Sequence, residues 1–97
     1  MNKKQDSSPM ILMVEPDDET RPLLKYNLKA QGYRVIAALD EEDAIERMMG
    51  KFHCPDLILI NQFGQSIEET VDVGRRICTI SGLPKDTPIV ILAERYG

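Results

Sequence analysis

Carboxylates gather in one short segment of the chain, directly after its first apolar run. Residues 15–19 read Glu-Pro-Asp-Asp-Glu and therefore hold four acids. This loop repels phosphate and lacks the glycines that let a pyrophosphate approach a helix N-terminus, which excludes a dinucleotide or P-loop site. Magnesium prefers oxygen ligands and usually takes one or two carboxylates from a protein. The segment is therefore either a weak cation site or a solvated loop whose charges favour the next helix N-terminus.

The cysteines and the single histidine do not follow the pattern of a metal or redox site. Cys54 and Cys78 belong to no C-x-x-C pair and have no histidine at ligand spacing, which argues against zinc and against a disulfide framework. His53 is a lone loop residue, which is typical of the surface. We expect both cysteines, together with Met48 and Met49, to be packing residues.

Four short apolar runs form the framework that must position the acidic loop. These runs, rich in Ile, Leu and Val, cover Met10–Val14, Tyr33–Ala38, Leu57–Ile60 and Ile89–Leu92. Runs without polar alternation are typical of parallel strands buried on both faces. The second run is the most polar, so we expect it at an edge of the sheet.

Three amphipathic helices are predicted between the strands. The first covers about 18–31, the second is capped by Asp40 and ends at Gly50, and the third opens with a capping box at Ser66–Glu69. Their apolar faces comprise Leu23, Leu24, Tyr26 and Leu28, then Ala44, Ile45, Met48 and Met49, then Val73, Ile77 and Ile80. Gly74 inside the third helix indicates close packing at that point.

Alternating strands and helices with right-handed crossovers predict a doubly wound α/β domain with a parallel sheet. In such sheets functional residues gather where the strands end. The segments at those ends are 15–18, 39–40, 61–63 and 93–95.

Composition limits the classes of function. The chain has 97 residues, 42% of them hydrophobic, and a net charge of −4. Residues 1–9 are polar and predict a flexible tail before one domain at 10–97. The acidic balance argues against nucleic-acid binding. The absence of a long apolar run argues against a membrane segment and favours the cytoplasm.

The chain resembles the receiver domains of bacterial two-component response regulators over residues 10–95. The likeness rests on the acidic end of the first strand (11–15), on Pro55-Asp56 before the third strand, and on Thr87-Pro88 before the fourth. It implies a CheY-like, flavodoxin-like sheet with strand order 2-1-3-4. A complete receiver continues with a helix, a strand and a helix. We therefore expect either that the domain is incomplete at its C-terminus or that a partner covers the fourth strand.

The resemblance also assigns roles to individual positions, and several residues depart from the family pattern. Asn61 occupies the position of the aspartate that working receivers phosphorylate. The acidic pair that holds magnesium falls on Glu15 and Pro16, with Asp17 as a substitute ligand. The switch hydroxyl falls on Ala93, which has none. An amide lone pair is delocalised and uncharged, so Asn61 is not expected to accept a phosphoryl group.

These departures imply a pseudo-receiver, a non-enzymatic interaction module that works without phosphorylation. No cofactor is expected beyond weak magnesium binding at Glu15 and Asp17. The expected partner is a kinase, an output domain or another signalling protein, with no nucleic acid or membrane. The alternative is a phospho-accepting regulator that uses a nearby acid such as Asp17 with magnesium. Partner identity and oligomeric state stay open.

Overall fold

Strands and helices alternate along the chain in the computed structural model, which describes residues 8–49, 54–61 and 64–93. The elements are β1 (Met10–Val14), α1 (Thr20–Ala30), β2 (Arg34–Ala38), α2 (Glu41–Met48), β3 (Leu57–Asn61), α3 (Ile67–Ser81) and β4 (Ile89–Leu92). The predicted elements are confirmed, with small shifts at their ends. Tyr33 lies outside β2, and Asn61 is the last residue of β3. Gly50, His53 and residues 62–63 and 94–95 fall outside the described residues.

The four strands form one parallel sheet in the order β2-β1-β3-β4. This confirms the predicted fold class and strand order. Parallel pairing brings the carboxyl ends of β1 and β3 together, because Val14 is in register with Ile60. The residues that follow these partners, Glu15 and Asn61, therefore stand side by side.

The core has two layers, one on each face of the sheet. The larger layer lies under α2 and α3, and the smaller layer lies under α1. The larger includes Leu12, Ile58, Ala44, Met48 and Ile77, and the smaller includes Ile11, Met13 and Leu59 with Leu24 and Leu28. The sheet therefore has helices on both faces, as a doubly wound fold requires.

The strands differ in burial according to their place in the sheet. Every residue of β1 is buried because this strand is central. In β4, which lies at the edge of the described sheet, Val90 and Leu92 are exposed. The fourth run has the sequence typical of a strand buried on both faces, yet it lies at the open edge of the described sheet. Only the face of β4 that carries Ile89 packs against the larger core layer.

Several helical side chains that were predicted to face the core are exposed. Leu24 and Leu28 face the sheet. Consecutive residues stand about 100° apart on a helix, so Leu23 and Tyr26 point to solvent. Met49 follows α2 in extended backbone, which takes it off the helical stripe. Ile80 lies beside the buried face of α3 and is exposed. Cys54, which was also predicted to be a packing residue, is exposed as well. Met48 and Cys78 are buried as predicted.

Gly74 lets α3 approach β4 closely. A Cβ atom built on this glycine would lie 2.8 Å from Cδ1 of Ile89 and 3.0 Å from its Cγ1 and Cγ2. Such distances are shorter than van der Waals contact. The prediction of close packing at Gly74 is therefore confirmed.

The helix ends are fixed by side-chain caps. The capping box of α3 is confirmed, since Ser66 N donates to Glu69 Oε1 (2.9 Å) and Glu69 N donates to Ser66 Oγ (3.0 Å). Asp40 Oδ1 caps α2 by accepting from Asp43 N at 2.8 Å. Helix α1 begins at Thr20 rather than at Asp18. None of the three described helices has the length and apolar character that a membrane crossing needs.

Candidate functional site at the carboxyl ends of the strands

Glu15 is the central residue of the site. It directly follows β1, and its backbone N–H donates to Ala38 O at 3.0 Å, which extends the pairing with β2 by one residue. This pairing turns the side chain into the molecule, where Glu15 has 0% of its surface exposed. A buried carboxylate is costly unless its oxygens are hydrogen-bonded.

Asn61 supplies one of these hydrogen bonds from the neighbouring strand. Its Nδ2 donates to Glu15 Oε1 at 2.7 Å. The other oxygen, Glu15 Oε2, accepts from Asp17 N at 3.0 Å. Both oxygens of the buried carboxylate are therefore satisfied by neutral donors within the chain. Bonds to a charged acceptor are stronger than neutral ones, so this contact ties β1 firmly to β3.

The neutral side chain at position 61 changes the electrostatics of the site. Two carboxylates about 4 Å apart repel each other by roughly 4 kcal/mol at an effective dielectric constant of 20. An aspartate beside Glu15 would therefore need a cation to relieve the repulsion. The Asn61 amide places donor hydrogens against Glu15 instead, and the need for a cation disappears.

Asp17 points away from Glu15 and caps α1. Its Oδ2 accepts from the backbone N–H groups of Thr20 (2.7 Å) and Glu19 (3.2 Å). The hydrogen bonds from Thr20, followed by those from Glu19 and the nearby charge of Arg21, hold the pKa of Asp17 below its usual value. Because α1 begins at Thr20, Pro22 lies in the first turn of the helix, where its missing N–H would have no helical partner. Asp17 is exposed and ionised, but its carboxylate is already engaged.

Arg21 holds the acidic loop in shape. Its Nη1 donates to Glu15 O at 2.9 Å and to Pro16 O at 3.4 Å, and its Nη2 bonds Asp18 Oδ1 at 2.6 Å. Only 18% of the Arg21 side chain is exposed. Sequence reasoning missed this residue, because an arginine in the first turn of a helix gives no sign of folding back onto the preceding loop.

A small crevice opens beside Asn61. It has a volume of about 220 Å³, with three buried apolar residues at its floor and both polar and apolar residues at its mouth. It is lined by Val14, Ile60 and Val73 and by Pro16, Leu39, Asp40, Glu41, Asn61 and Gln65. The crevice therefore lies at the strand ends, where the sequence predicted the functional residues.

One side of this mouth is held by an ion pair between α2 and α3. Glu41 Oε2 lies 2.6 Å from Arg76 Nε, and Glu41 Oε1 lies 2.9 Å from Arg76 Nη2. The hydrogen bond from Arg76 lowers the pKa of Glu41, and the same contact raises the pKa of Arg76. The sequence did not indicate this pairing, since the two residues are 35 positions apart.

The predicted site residues thus take different places. Glu15 and Asn61 meet, Pro16 borders the crevice with no polar side-chain atom, and Asp17 serves as a helix cap. Ala93 follows β4 and is exposed, with only a methyl group to offer. Among the residues that the structure describes, no group of three or more His, Cys, Asp and Glu side chains is arranged to hold a metal ion.

Two curated relatives are transcriptional regulators. The transcriptional regulatory protein AfsQ1 of Streptomyces coelicolor is 30% identical over 87 residues, which cover 90% of this chain and 36% of that protein. The alkaline phosphatase synthesis transcriptional regulatory protein PhoP of Bacillus subtilis is 39% identical over 61 residues, which cover 63% of this chain and 22% of that protein. The chain therefore spans about a third or less of the length of these relatives. No protein-family model matches it.

Solved structures carry the same fold. The chemotaxis protein CheY4 of Vibrio cholerae matches with a TM-score of 0.72 and 20% identity, over 94% of this chain and 72% of that one. The non-phosphorylated HemR receiver domain of Leptospira biflexa matches with a TM-score of 0.66 and 25% identity, over 93% of this chain and 68% of that one. The sheet order, the HemR match and the two regulator relatives all indicate a receiver domain. The chain therefore has the CheY-like receiver fold and is similar to receiver domains of response regulators.

Proposed function

We propose that the chain is a pseudo-receiver, which binds a signalling partner without being phosphorylated at the usual position. The observation that carries this proposal is the 2.7 Å hydrogen bond from Asn61 Nδ2 to Glu15 Oε1. The acceptor position therefore holds an amide whose N–H group is already committed to a buried carboxylate. The chain keeps the receiver fold, and the hydrogen bond between Asn61 and Glu15 takes the place of the charged phosphorylation site.

Phosphoryl transfer needs a group that Asn61 does not provide. An acyl phosphate forms when an ionised carboxylate oxygen attacks phosphorus, and the amide is uncharged. Glu15 has the required charge, but it is buried and both of its oxygens accept hydrogen bonds. Neither residue is a competent acceptor in this arrangement.

The residues present also do not fit the magnesium ion that receiver domains employ. Glu15 faces an amide N–H group, which repels a cation. Asp17 is turned toward the N-terminus of α1, and Pro16 and Ala93 offer no polar side-chain atom. Magnesium needs about six oxygens in near-ideal geometry, of which proteins usually give one or two carboxylates. We therefore assign magnesium no part in the action of this domain.

The partner in this proposal is a protein of the same signalling systems, namely a kinase, an output domain or another regulator, and the setting is cytoplasmic. The two relatives support this assignment because they are named as transcriptional regulatory proteins. The domain itself performs no catalysis in this proposal. In this proposal the binding unit lies within residues 10–97.

A phospho-accepting regulator that uses Asp17 is the second candidate. The observation in its favour is that Asp17 is exposed and that its lowered pKa keeps it ionised. Phosphorylation of Asp17 would displace the bonds from Glu19 and Thr20 and would therefore release the cap of α1.

Incubation with acetyl phosphate and magnesium, followed by intact-mass spectrometry, separates the two candidates. If the chain is a pseudo-receiver, neither the wild type nor Asp17→Asn should gain a phosphoryl group. The second candidate predicts a gain in the wild type that Asp17→Asn abolishes. Asp18→Asn is the matched control, because Asp18 is also exposed but does not cap the helix.

A further inference from the structure

The exposed side of α2 forms a groove with apolar ends and an acidic rim. We call it the α2 groove and define it by Leu39, Glu42, Ile45, Glu46 and Met49. Its volume is about 520 Å³, and an adjoining concavity of about 420 Å³ extends it past Glu42 and Ile45. Leu39 and Met49 leave 43% and 64% of their surface exposed. Apolar side chains rimmed by polar groups are typical of protein-binding surfaces.

The carboxylates of this groove are the unpaired ones of α2. Glu41 is bound by Arg76, and Asp43 accepts from Arg47 and from the backbone of Leu39. The carboxylates of Glu42 and Glu46 make no hydrogen bond or ion pair with any residue that the structure describes. They stand four positions apart, so the two charges face each other along the helix and repel. A cationic partner would relieve this repulsion.

The solvent side of α1 has the complementary pattern. Leu23 and Tyr26 leave 64% and 72% of their surface exposed. Lys25 and Lys29 also stand four positions apart, and neither is paired within the described ranges. Helix α1 holds three basic residues and no acid, whereas α2 holds four acids and one base.

We propose that the α1 face of one copy of this chain, formed by Leu23, Lys25, Tyr26 and Lys29, binds in the α2 groove of a second copy. The apolar pair of α1 meets the exposed Leu39 and Met49, and the two lysines meet Glu42 and Glu46. Because α1 and α2 lie on opposite faces of the sheet, the contact is head-to-tail and leaves one free surface at each end.

The association in this proposal is weak and sensitive to salt. Helix α1 has 11 residues, so one face of it buries far less than the roughly 1,200 Å² of a stable interface. Charged rims act mainly on the rate of encounter and on partner choice, and salt screens them. Self-association should therefore depend on protein concentration and weaken as salt is raised.

Charge reversal on each surface provides the test, with sedimentation equilibrium of the 97-residue chain as the measurement. In low salt the wild type should exceed its monomer mass of 11.0 kDa as concentration rises. The pair Glu42→Lys/Glu46→Lys and the pair Lys25→Glu/Lys29→Glu should each weaken self-association by about tenfold or more. An equimolar mixture of the two variants should associate again, because each then meets a surface of opposite charge.

The matched control is Glu68→Lys/Asp72→Lys on α3, which reverses two exposed acids at the same spacing away from the groove. It should associate like the wild type. Amide NMR shifts of the wild type on dilution give a second readout that needs no variant. They should concentrate at residues 23–29 and 39–49.

Three outcomes would overturn the proposal. One is a wild type that stays monomeric at millimolar concentration in low salt. Another is self-association that survives both charge reversals, with dilution shifts at the exposed Val90 and Leu92 of β4 instead. The third is a mixture of the two variants that associates no better than either variant alone.

Discussion

The side-chain amide of Asn61 donates to the buried carboxylate of Glu15 across the ends of two neighbouring parallel strands, at 2.7 Å. The contact makes β1 and β3 meet through a neutral donor and a charged acceptor. An amide here relieves the repulsion that a second carboxylate would create, so the site is stable without a bound ion.

Asn61→Asp should restore the missing charge and make the domain dependent on a divalent cation. The new carboxylate would lie against Glu15, and repulsion should lower the free energy of unfolding by about 2–4 kcal/mol without magnesium. Thermal unfolding at neutral pH should show that millimolar magnesium raises the Tm of the variant but leaves the wild type unchanged. Asn27→Asp is the control, because it makes the same chemical change on the exposed side of α1. An equal magnesium response in both variants would refute the interpretation.

Asp17→Ala should lower Tm by a few degrees, because it removes the acceptor for Glu19 and Thr20. The pKa of Asp17 is lowered in the folded protein, so its stabilising effect is present above its usual value of 3.8 and is lost as pH falls below that value. The gap between wild type and variant should therefore close in strong acid. Glu19→Ala is the control, since no hydrogen bond to its side chain is found in the described structure.

Gly74→Ala should destabilise the domain although alanine favours helices. The added Cβ would approach Cδ1 of Ile89 to 2.8 Å, and overpacking of this kind costs about 1–3 kcal/mol, against a gain of about 1 kcal/mol in helix propensity. Urea denaturation of the variant measures the balance. Ile89→Val in the same background removes the closest atom and should recover part of the loss. A more stable Gly74→Ala protein would contradict the close approach of α3 and β4.

Arg76→Gln should lower Tm by less than about 5 °C, since the bidentate pair with Glu41 is half exposed. The hydrogen bond from Arg76 lowers the pKa of Glu41, so the contribution of the pair is present above the usual value of 4.5 and is lost as pH falls through the acid range. Wild type and variant should converge below that range. A double-mutant cycle with Glu41→Gln isolates the pair, and a coupling of zero at neutral pH would refute it.

The sequence was sufficient for the order of the elements and for the meeting of Glu15 with Asn61. Continuous apolar runs mark the strands, and parallel pairing then brings the residues at strand ends together. The sequence was insufficient where the burial of a side chain depended on how its helix is oriented on the sheet. Leu23 and Leu24 are equally apolar, and only the docking of α1 on the sheet decides which one is buried.

The contacts that individual side chains make in the fold explain the other differences between the sequence predictions and the structure. Asp17 looked like a candidate metal ligand, but the N–H groups of the α1 N-terminus take its carboxylate. Arg76 reaches Glu41 across two helices, and such a contact has no local signature. The exposed Val90 and Leu92 follow from the edge position of β4 among the described strands, which the apolar run alone does not indicate.

The most direct test of the account is the response of the amide NMR spectrum to beryllofluoride, a mimic of the phosphoryl group, at millimolar magnesium. We predict that the spectrum of the wild type stays unchanged, because Asn61 and Glu15 satisfy each other and offer no charged acceptor. Asn61→Asp in the same conditions serves as the responsive comparison. Site-localised shifts around Glu15 and Asn61 in the wild type would contradict a domain that works without phosphorylation.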